Sequence, residues 1–292
     1  LGLVYTTAFT DVKPYATVTG AQNSVTDSRS EGQLHNAKLD YQTPFGLKAG
    51  AEFTYYHSPG SQLLHSTLGE ETLNFLSRDN QRINQWRFYA GQEHTLGKDW
   101  GLNYGVAYMT ALDNSYQMYY DPETEAPLPD NNMKSRRREQ TVNFYAGLSK
   151  SFGEKLSADV SLAAEQYHTD MWNEWSLYPV ANLTYLPAPG HILQFSLSSD
   201  KEYPEYWSMQ NSTSYMGAYS EIQGNPFLKP ATNYETTLSY ILKGKYVLSA
   251  YYSRTKNKEM QTLYQSPERL VEIYKCFNFD FSEQAGLVMV VP

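Results

Sequence analysis

From residue 47 to residue 55 apolar and polar positions alternate without a break. Leu47, Ala49, Ala51, Phe53 and Tyr55 fall on one parity; Lys48, Gly50, Glu52 and Thr54 fall on the other. Successive side chains of an extended strand point to opposite faces, so this pattern predicts a strand with one apolar and one polar face. The split recurs at Leu102, Tyr104, Val106 and Tyr108, at Val142, Phe144, Ala146 and Leu148, and at Leu156, Ala158, Val160, Leu162 and Ala164. It returns at Tyr234, Thr236, Leu238, Tyr240 and Leu242, then at Tyr246, Leu248, Ala250 and Tyr252. Charges keep to the polar parity, as Lys48, Glu52, Arg87, Asp159, Glu165 and Glu235 show. Helical spacing is confined to a few loop segments, and the whole pattern predicts roughly thirteen or fourteen strands.

The expected links between strands alternate in length. Short ones are predicted at residues 11–13, 43–46, 97–99, 153–154, 187–190 and 243–245. Longer ones are predicted at 24–33, 58–81, 113–137 and 199–230, with an intermediate link at 169–173. Every second connection then lies at the same end of an up-and-down sheet, which is the asymmetry of membrane barrels with tight turns on one side and long loops on the other. A Greek-key sandwich has no reason to show it. Most strands also reach the ten-residue order that a tilted membrane crossing needs. The expected fold is therefore all-β, an antiparallel up-and-down transmembrane β-barrel. Aromatic residues near strand ends, Tyr55 and Tyr56, Trp172 and Trp175, Tyr203, Tyr206 and Trp207, are expected to form the interfacial girdle.

Composition narrows the function classes. Among 292 residues there are 26 Tyr, aromatics make up 15%, and the hydrophobic fraction is only 41%. Strand formers are plentiful, and no apolar run is long enough for a transmembrane helix, which says nothing against a barrel. A net charge of -8 argues against a nucleic-acid partner. Arg136, Arg137 and Arg138 are the densest basic cluster, and because they follow Asp121, Glu123, Glu125 and Asp130 they are expected at a solvated loop edge. The single Cys276 rules out an internal disulfide and a cysteine-based zinc site. His57 and His65 flank Glu70 and Glu71 at spacings that match no ligand motif, and His168, Thr169 and Asp170 offer no nucleophile beside a base. No catalytic residue, cofactor or metal is expected, and the chain is not expected to be an enzyme.

One segment carries more specific marks. Tyr178 and Pro179 enter a strand, and a polar run from Ser198 to Pro204 opens a long loop. That loop ends in Gly224, Asn225, Pro226, Phe227, Leu228, Lys229 and Pro230, and an aromatic hairpin from Tyr234 to Tyr252 follows, closing on Asn257 and Lys258. From Tyr178 to about Leu287 the sequence resembles the outer-membrane β-barrel of TonB-dependent receptors. The resemblance implies a bacterial outer-membrane location, a barrel of about twenty-two strands around an N-terminal plug, and ligand uptake driven by the TonB complex through that plug. Neither a plug nor a TonB-engaging segment is recognisable here. Residues 1–292 are accordingly expected to be a barrel region incomplete at both ends, whose partners are outer-membrane lipid, TonB through the missing plug, and a small ligand, glycan or peptide. In the third long loop, Trp207, Met209, Tyr215, Met216 and Tyr219 are the candidate ligand contacts, because loops carry specificity on a rigid barrel. An outer-membrane barrel enzyme or adhesin, and a soluble carbohydrate-binding β-sandwich, are the alternatives.

Overall fold

A computed structural model describes residues 1–97, 99–217, 219–268 and 271–292, excepting the side chains at 22, 68, 129–131 and 217; Asp130 of the acidic run therefore lies outside the described side chains. Among the described residues the regular elements are all strands: β1 (Gly2–Val12), β2 (Tyr15–Val18), β3 (Gln22–Gln42), β4 (Lys48–Leu68), β5 (Glu71–Leu96), β6 (Trp100–Tyr120), β7 (Pro127–Phe152), β8 (Leu156–Thr169), β9 (Asn173–Tyr185), β10 (His191–Glu202), β11 (Thr213–Gly217), β12 (Ser220–Gln223), β13 (Ala231–Leu242), β14 (Tyr246–Gln265) and β15 (Glu272–Val290). Among the described residues these make one sheet of fifteen strands, in the order β1-β3-β4-β5-β6-β7-β8-β9-β10-β13-β14-β15-β12-β11, with β2 also on β3. Every wall pairing is antiparallel between chain neighbours. The β-sandwich alternative falls, because among the described residues all the strands belong to one sheet.

Two expected links are absent. Residues 11–13 form a kink rather than a turn, since β1 and β2 both pair with β3, at 30–40 and 24–27 respectively. Pro14 interrupts that ladder because it has no amide hydrogen, and its carbonyl accepts from Ser28 N at 3.0 Å. Residues 24–33 lie inside β3. Counting β1 with β2, and setting aside the short β11 and β12, leaves twelve wall strands, slightly fewer than the alternation predicts.

The long links at 58–81 and 113–137 are mostly strand. β4 and β5 stay paired from Lys48↔Gly91 to Leu68↔Glu71, leaving a turn at Gly69, where φ is 56°. β6 and β7 are joined through residues 121–126, where the Asp121 carboxylate accepts from Thr124 N and Oγ1 and from Glu123 N. Those bonds hold its carboxyl below the ordinary range. Strands β3 to β7 run for 21 to 26 residues. About ten residues cross a membrane, so the remainder stands above it as a rim of hairpins. Asn257, expected at a turn, is a left-handed bulge (φ 52°) within continuous β14, and Asn278 on β15 donates to its carbonyl at 2.8 Å.

The apolar parity faces outward. Phe88, Val106, Phe144, Leu148, Val160, Leu162, Leu177, Leu238, Leu248 and Leu287 are all exposed on that side. Exposed aromatics bound the band, with Trp100, Phe152, Tyr185 and Tyr246 at the short-turn end and Trp86, Trp175 and Tyr252 at the other. Of the aromatics expected in the girdle, Tyr203 and Tyr206 turn inward instead. The polar parity lines the concave face, where Lys48 pairs with Glu93 (3.2 Å) and Arg87 with Glu52 (3.7 Å). On this face three glycines sit directly opposite tyrosines: Gly50↔Tyr89, Gly105↔Tyr145 and Gly286↔Tyr251. A Cβ on Gly105 would lie 2.6 Å from the Tyr145 ring, so the ring lies flat over a position that no side chain can share.

Two outcomes follow from this assignment of faces. Ala146→Arg, in the outward band, is expected to cost on the order of 2–4 kcal/mol in membrane assembly, whereas inward Ser149→Arg is mild; equal tolerance of both would contradict the lipid-facing band. A glutamate-specific protease added to whole cells is expected to cut at Glu123 and Glu125 in the β6–β7 turn and to spare Glu154 in the β7–β8 turn, and the reverse result would invert the orientation.

Candidate functional site

The segment between β10 and β13 is the longest stretch outside the wall, and it turns inward across the outer end of the sheet. Its start is fastened by two carboxylates. Lys201 Nζ donates to Glu165 Oε1 at 3.1 Å and sits 4.6 Å from the Tyr167 ring, while the Tyr203 hydroxyl donates to the same oxygen. One step further up the wall, Glu139 accepts from Arg137 Nε (2.8 Å), Tyr167 OH (2.9 Å) and Tyr206 OH (3.0 Å). Burial beside Glu139 raises the Tyr206 phenol, which keeps it a neutral donor. Arg137, expected at a solvated loop edge, is instead the inward member of its triplet and is only 14% exposed. Period-2 geometry sends Arg136 and Arg138 to the opposite face.

The middle of the segment is an apolar wedge. β11 and β12 form a short hairpin whose Tyr215 packs against Leu64, Phe75 and Tyr119 on β4, β5 and β6. Ring centroids are 4.9 Å apart for Phe75 and Tyr215 and 6.3 Å for Tyr119 and Tyr215. Gln62 Nε2 donates to the Tyr215 carbonyl (2.9 Å) and Tyr119 OH to the Thr213 carbonyl (2.5 Å). On its far side β12 pairs in parallel with residues 272–275 of β15, and Glu272 N donates to the Tyr219 carbonyl at 2.7 Å. The hairpin thus joins β15 to β4, β5 and β6.

The end of the segment is the Gly-Asn-Pro motif. Gly224 passes so close to Gln210 that a Cβ would lie 1.7 Å from its carbonyl oxygen, which admits only glycine. Asn225 N donates to the Ser208 carbonyl (2.6 Å) and Asn225 Nδ2 to the Cys276 carbonyl (2.9 Å), while its own Oδ1 accepts from Phe227 N. Leu228 is fully buried against Met209 and Cys276, with Tyr206 packed beside them. Lys229 pairs with Glu174 (3.2 Å) over the Trp172 ring, and its backbone exchanges two hydrogen bonds with Asn278. Pro226 and Pro230 fix the backbone on either side and deliver the chain into β13. Tyr178 and Pro179 lie in mid-strand rather than at a strand start. Tyr178 faces inward and is buried, and Pro179 falls just beyond Ala181, where the β9–β10 ladder ends, so its missing amide costs nothing there; Ser199 Oγ donates to its carbonyl at 2.7 Å.

The five loop residues singled out from the sequence therefore separate. Met209 and Tyr215 are buried anchors, Tyr219 is half-buried, and Trp207 and Met216 are exposed. Beneath Trp207 is a cavity of about 200 Å³, bounded by Gln210, Ser212 and Ser214 of the loop and by Asp79, Gln81 and Gln117 of the wall. Its lining is polar. Gln117 Oε1 and, one inward position below it, Ser115 Oγ are buried with no hydrogen-bond partner, although such groups are normally satisfied. Sequence reasoning missed the wall half of this arrangement. Its signal was present as apolar residues on the polar parity, at Leu64, Phe75 and Tyr119.

Residues 46–292 match the model of the outer membrane protein beta-barrel family. No protein of the curated set matches the sequence. Among solved structures, the siderophore receptor PirA from Pseudomonas aeruginosa aligns over 98% of this chain and 62% of its own, with 12% identity and a TM-score of 0.52. The Serratia marcescens hemophore receptor HasR, solved with its hemophore HasA and heme, aligns over 98% of this chain and 60% of its own, at 8% identity and a TM-score of 0.51. The RagAB peptide transporter aligns over 91% and 34%, at 10% identity and a TM-score of 0.54. The chain thus spans less than two thirds of each, and at these identities the likeness is one of fold.

Gly224→Ala tests the fastening of the loop. The substitution is expected to leave the wall strands protected in hydrogen exchange while residues 203–230 lose protection by about tenfold or more, the equivalent of one buried hydrogen bond to a backbone carbonyl. Unchanged protection there would show that the motif does not hold the loop.

Proposed function

This chain belongs to the outer membrane protein beta-barrel family, and from that premise we propose that it forms the wall and the ligand-capturing outer loop of a receptor that imports a ligand across the bacterial outer membrane. The observation that carries this is the inward-turned segment between β10 and β13. A loop that served only to link two strands could project freely into solvent. This one is bound to the wall at three places and leaves a polar cavity beneath an exposed tryptophan.

Uptake against a gradient requires energy, and the resemblance to TonB-dependent receptors supports supply from the TonB complex through a plug domain seated against the concave polar face. The described structural neighbours bind or carry a siderophore, a hemophore with heme, and a peptide. Apart from Asp79 and the ring of Trp207, the groups lining the cavity are uncharged amides and hydroxyls, which favours a ligand rich in hydrogen-bonding groups, such as a glycan or peptide. Trp207 supplies a stacking surface for either.

The test is growth of the native organism on single nutrient sources with the full-length protein altered at Gln117→Ala and Trp207→Ala. Half-saturation for one ligand is expected to rise about tenfold, since an unpaired buried hydrogen-bonding group is worth about 1–3 kcal/mol, and growth on that ligand should also vanish when TonB is removed. Receptor-dependent growth that ignores both substitutions would move the ligand site elsewhere, and growth independent of TonB would remove the energised-import reading.

A further inference from the structure

The basic triplet of β7 has a second side. Arg136 and Arg138 point outward and are exposed, as is Arg82 on β5. The ladder brings them together: Arg82 faces Asn114, which faces Arg136, on one rung, and Asn84, Leu112 and Arg138 form the next rung towards the membrane. Two strand spacings separate Arg82 from Arg136, about 10 Å between backbones. Lys134 continues the same outward row one position higher. None of these four makes an ion pair among the described residues, in contrast to Arg78, Arg87, Arg137 and Arg254, which all do. Among the described residues, Asp170 is the one carboxylate lining the groove that Arg136 and Arg138 border.

Their height on the wall gives the cluster its meaning. Immediately below lie Leu112, Thr110 and the exposed ring of Trp86, which line the groove together with Arg136 and Arg138 and continue into the lipid-facing band. The groove is therefore apolar towards the membrane and cationic at its outer lip, on a protein whose net charge is -8. Guanidinium groups match phosphate oxygens in two-pronged geometry, and unpaired arginines at the membrane surface meet anionic headgroups before anything else. We propose that Arg82, Arg136 and Arg138 dock the phosphorylated headgroup of an outer-leaflet lipid, with an acyl chain lying along Trp86 and Leu112. The site is independent of the ligand cavity, which opens on the opposite face of the same strands.

The experiment uses the full-length protein purified from its own outer membrane, as wild type and with Arg82→Gln, Arg136→Gln and Arg138→Gln combined. Mass spectrometry of the intact, detergent-exchanged protein is expected to show retained phosphorylated lipid on the wild type and about tenfold less on the variant, the loss expected when several charge-assisted bonds are removed. Rebinding is then measured in phosphatidylethanolamine vesicles carrying diphosphoryl lipid A or its dephosphorylated form. Preference for the diphosphoryl form, present in wild type, weakened by salt and absent in the variant, supports the site. Equal retention by both proteins overturns it, as does equal binding of the dephosphorylated lipid. Complete competition by millimolar inorganic phosphate would assign the cluster to a free anion instead. Unheated gel mobility verifies that the variant barrel is folded, and an Arg→Lys version of the same three positions, which keeps charge but loses the two-pronged geometry, should retain an intermediate amount.

Discussion

A peptide group inside hydrocarbon has no water to bond, so each strand of this wall must find its partners in the next strand. That requirement explains why the sheet is continuous from β1 to β15 and why its neighbours in space are its neighbours in sequence. It also explains where irregularity is tolerated. Pro14 falls at a kink whose carbonyl still accepts a ladder bond, and Pro179 falls where β10 parts from β9 and a serine hydroxyl takes over its carbonyl. The bulge at Asn257 is stitched by the side chain of Asn278, which bridges to the Gly-Asn-Pro segment at the same time.

Above the membrane the same strands obey a different solvent. There the concave face no longer has to be polar, and Leu64, Phe75 and Tyr119 form a small dry core with Tyr215 of the loop. Below that core the attachment changes to a charged one, in which Glu165 and Glu139 accept from the Tyr203 and Tyr206 phenols of the loop's first residues and Glu165 pairs with Lys201 at the end of β10. Apolar contacts at one point and buried carboxylates at another hold the segment at fixed height, leaving the polar cavity between them.

The wall was legible because a period of two can be read without knowing any contact, and the outward band lies on the parity that alternation assigns. Loop lengths were not legible in the same way. Residues 58–81 and 113–137 lose their clean alternation once they leave the bilayer, and a hairpin in water need not be amphipathic, so strands read as loops. The triplet at 136–138 looked like one solvated cluster, yet period-2 geometry divides it between a buried glutamate and the lipid side. Met209 and Tyr215 looked like sticky surface and are anchors, because which loop side chain turns inward depends on wall residues distant in the sequence, Cys276 for the first and Leu64, Phe75 and Tyr119 for the second. The Gly-Asn-Pro motif stood out in the sequence for its composition; the reason for its glycine, the carbonyl of Gln210, is a contact only the folded chain displays.

The facing of glycine by tyrosine on the concave side bears on how such sequences drift. At Gly50 and Tyr89, Gly105 and Tyr145, and Gly286 and Tyr251, one partner is small because the other is large and lies across it. Neither can change alone without a clash or a hole, but both can change together. In a set of homologous sequences these positions should therefore behave as three linked characters, each pair exchanging its bulk in a single step while the strands around it vary freely.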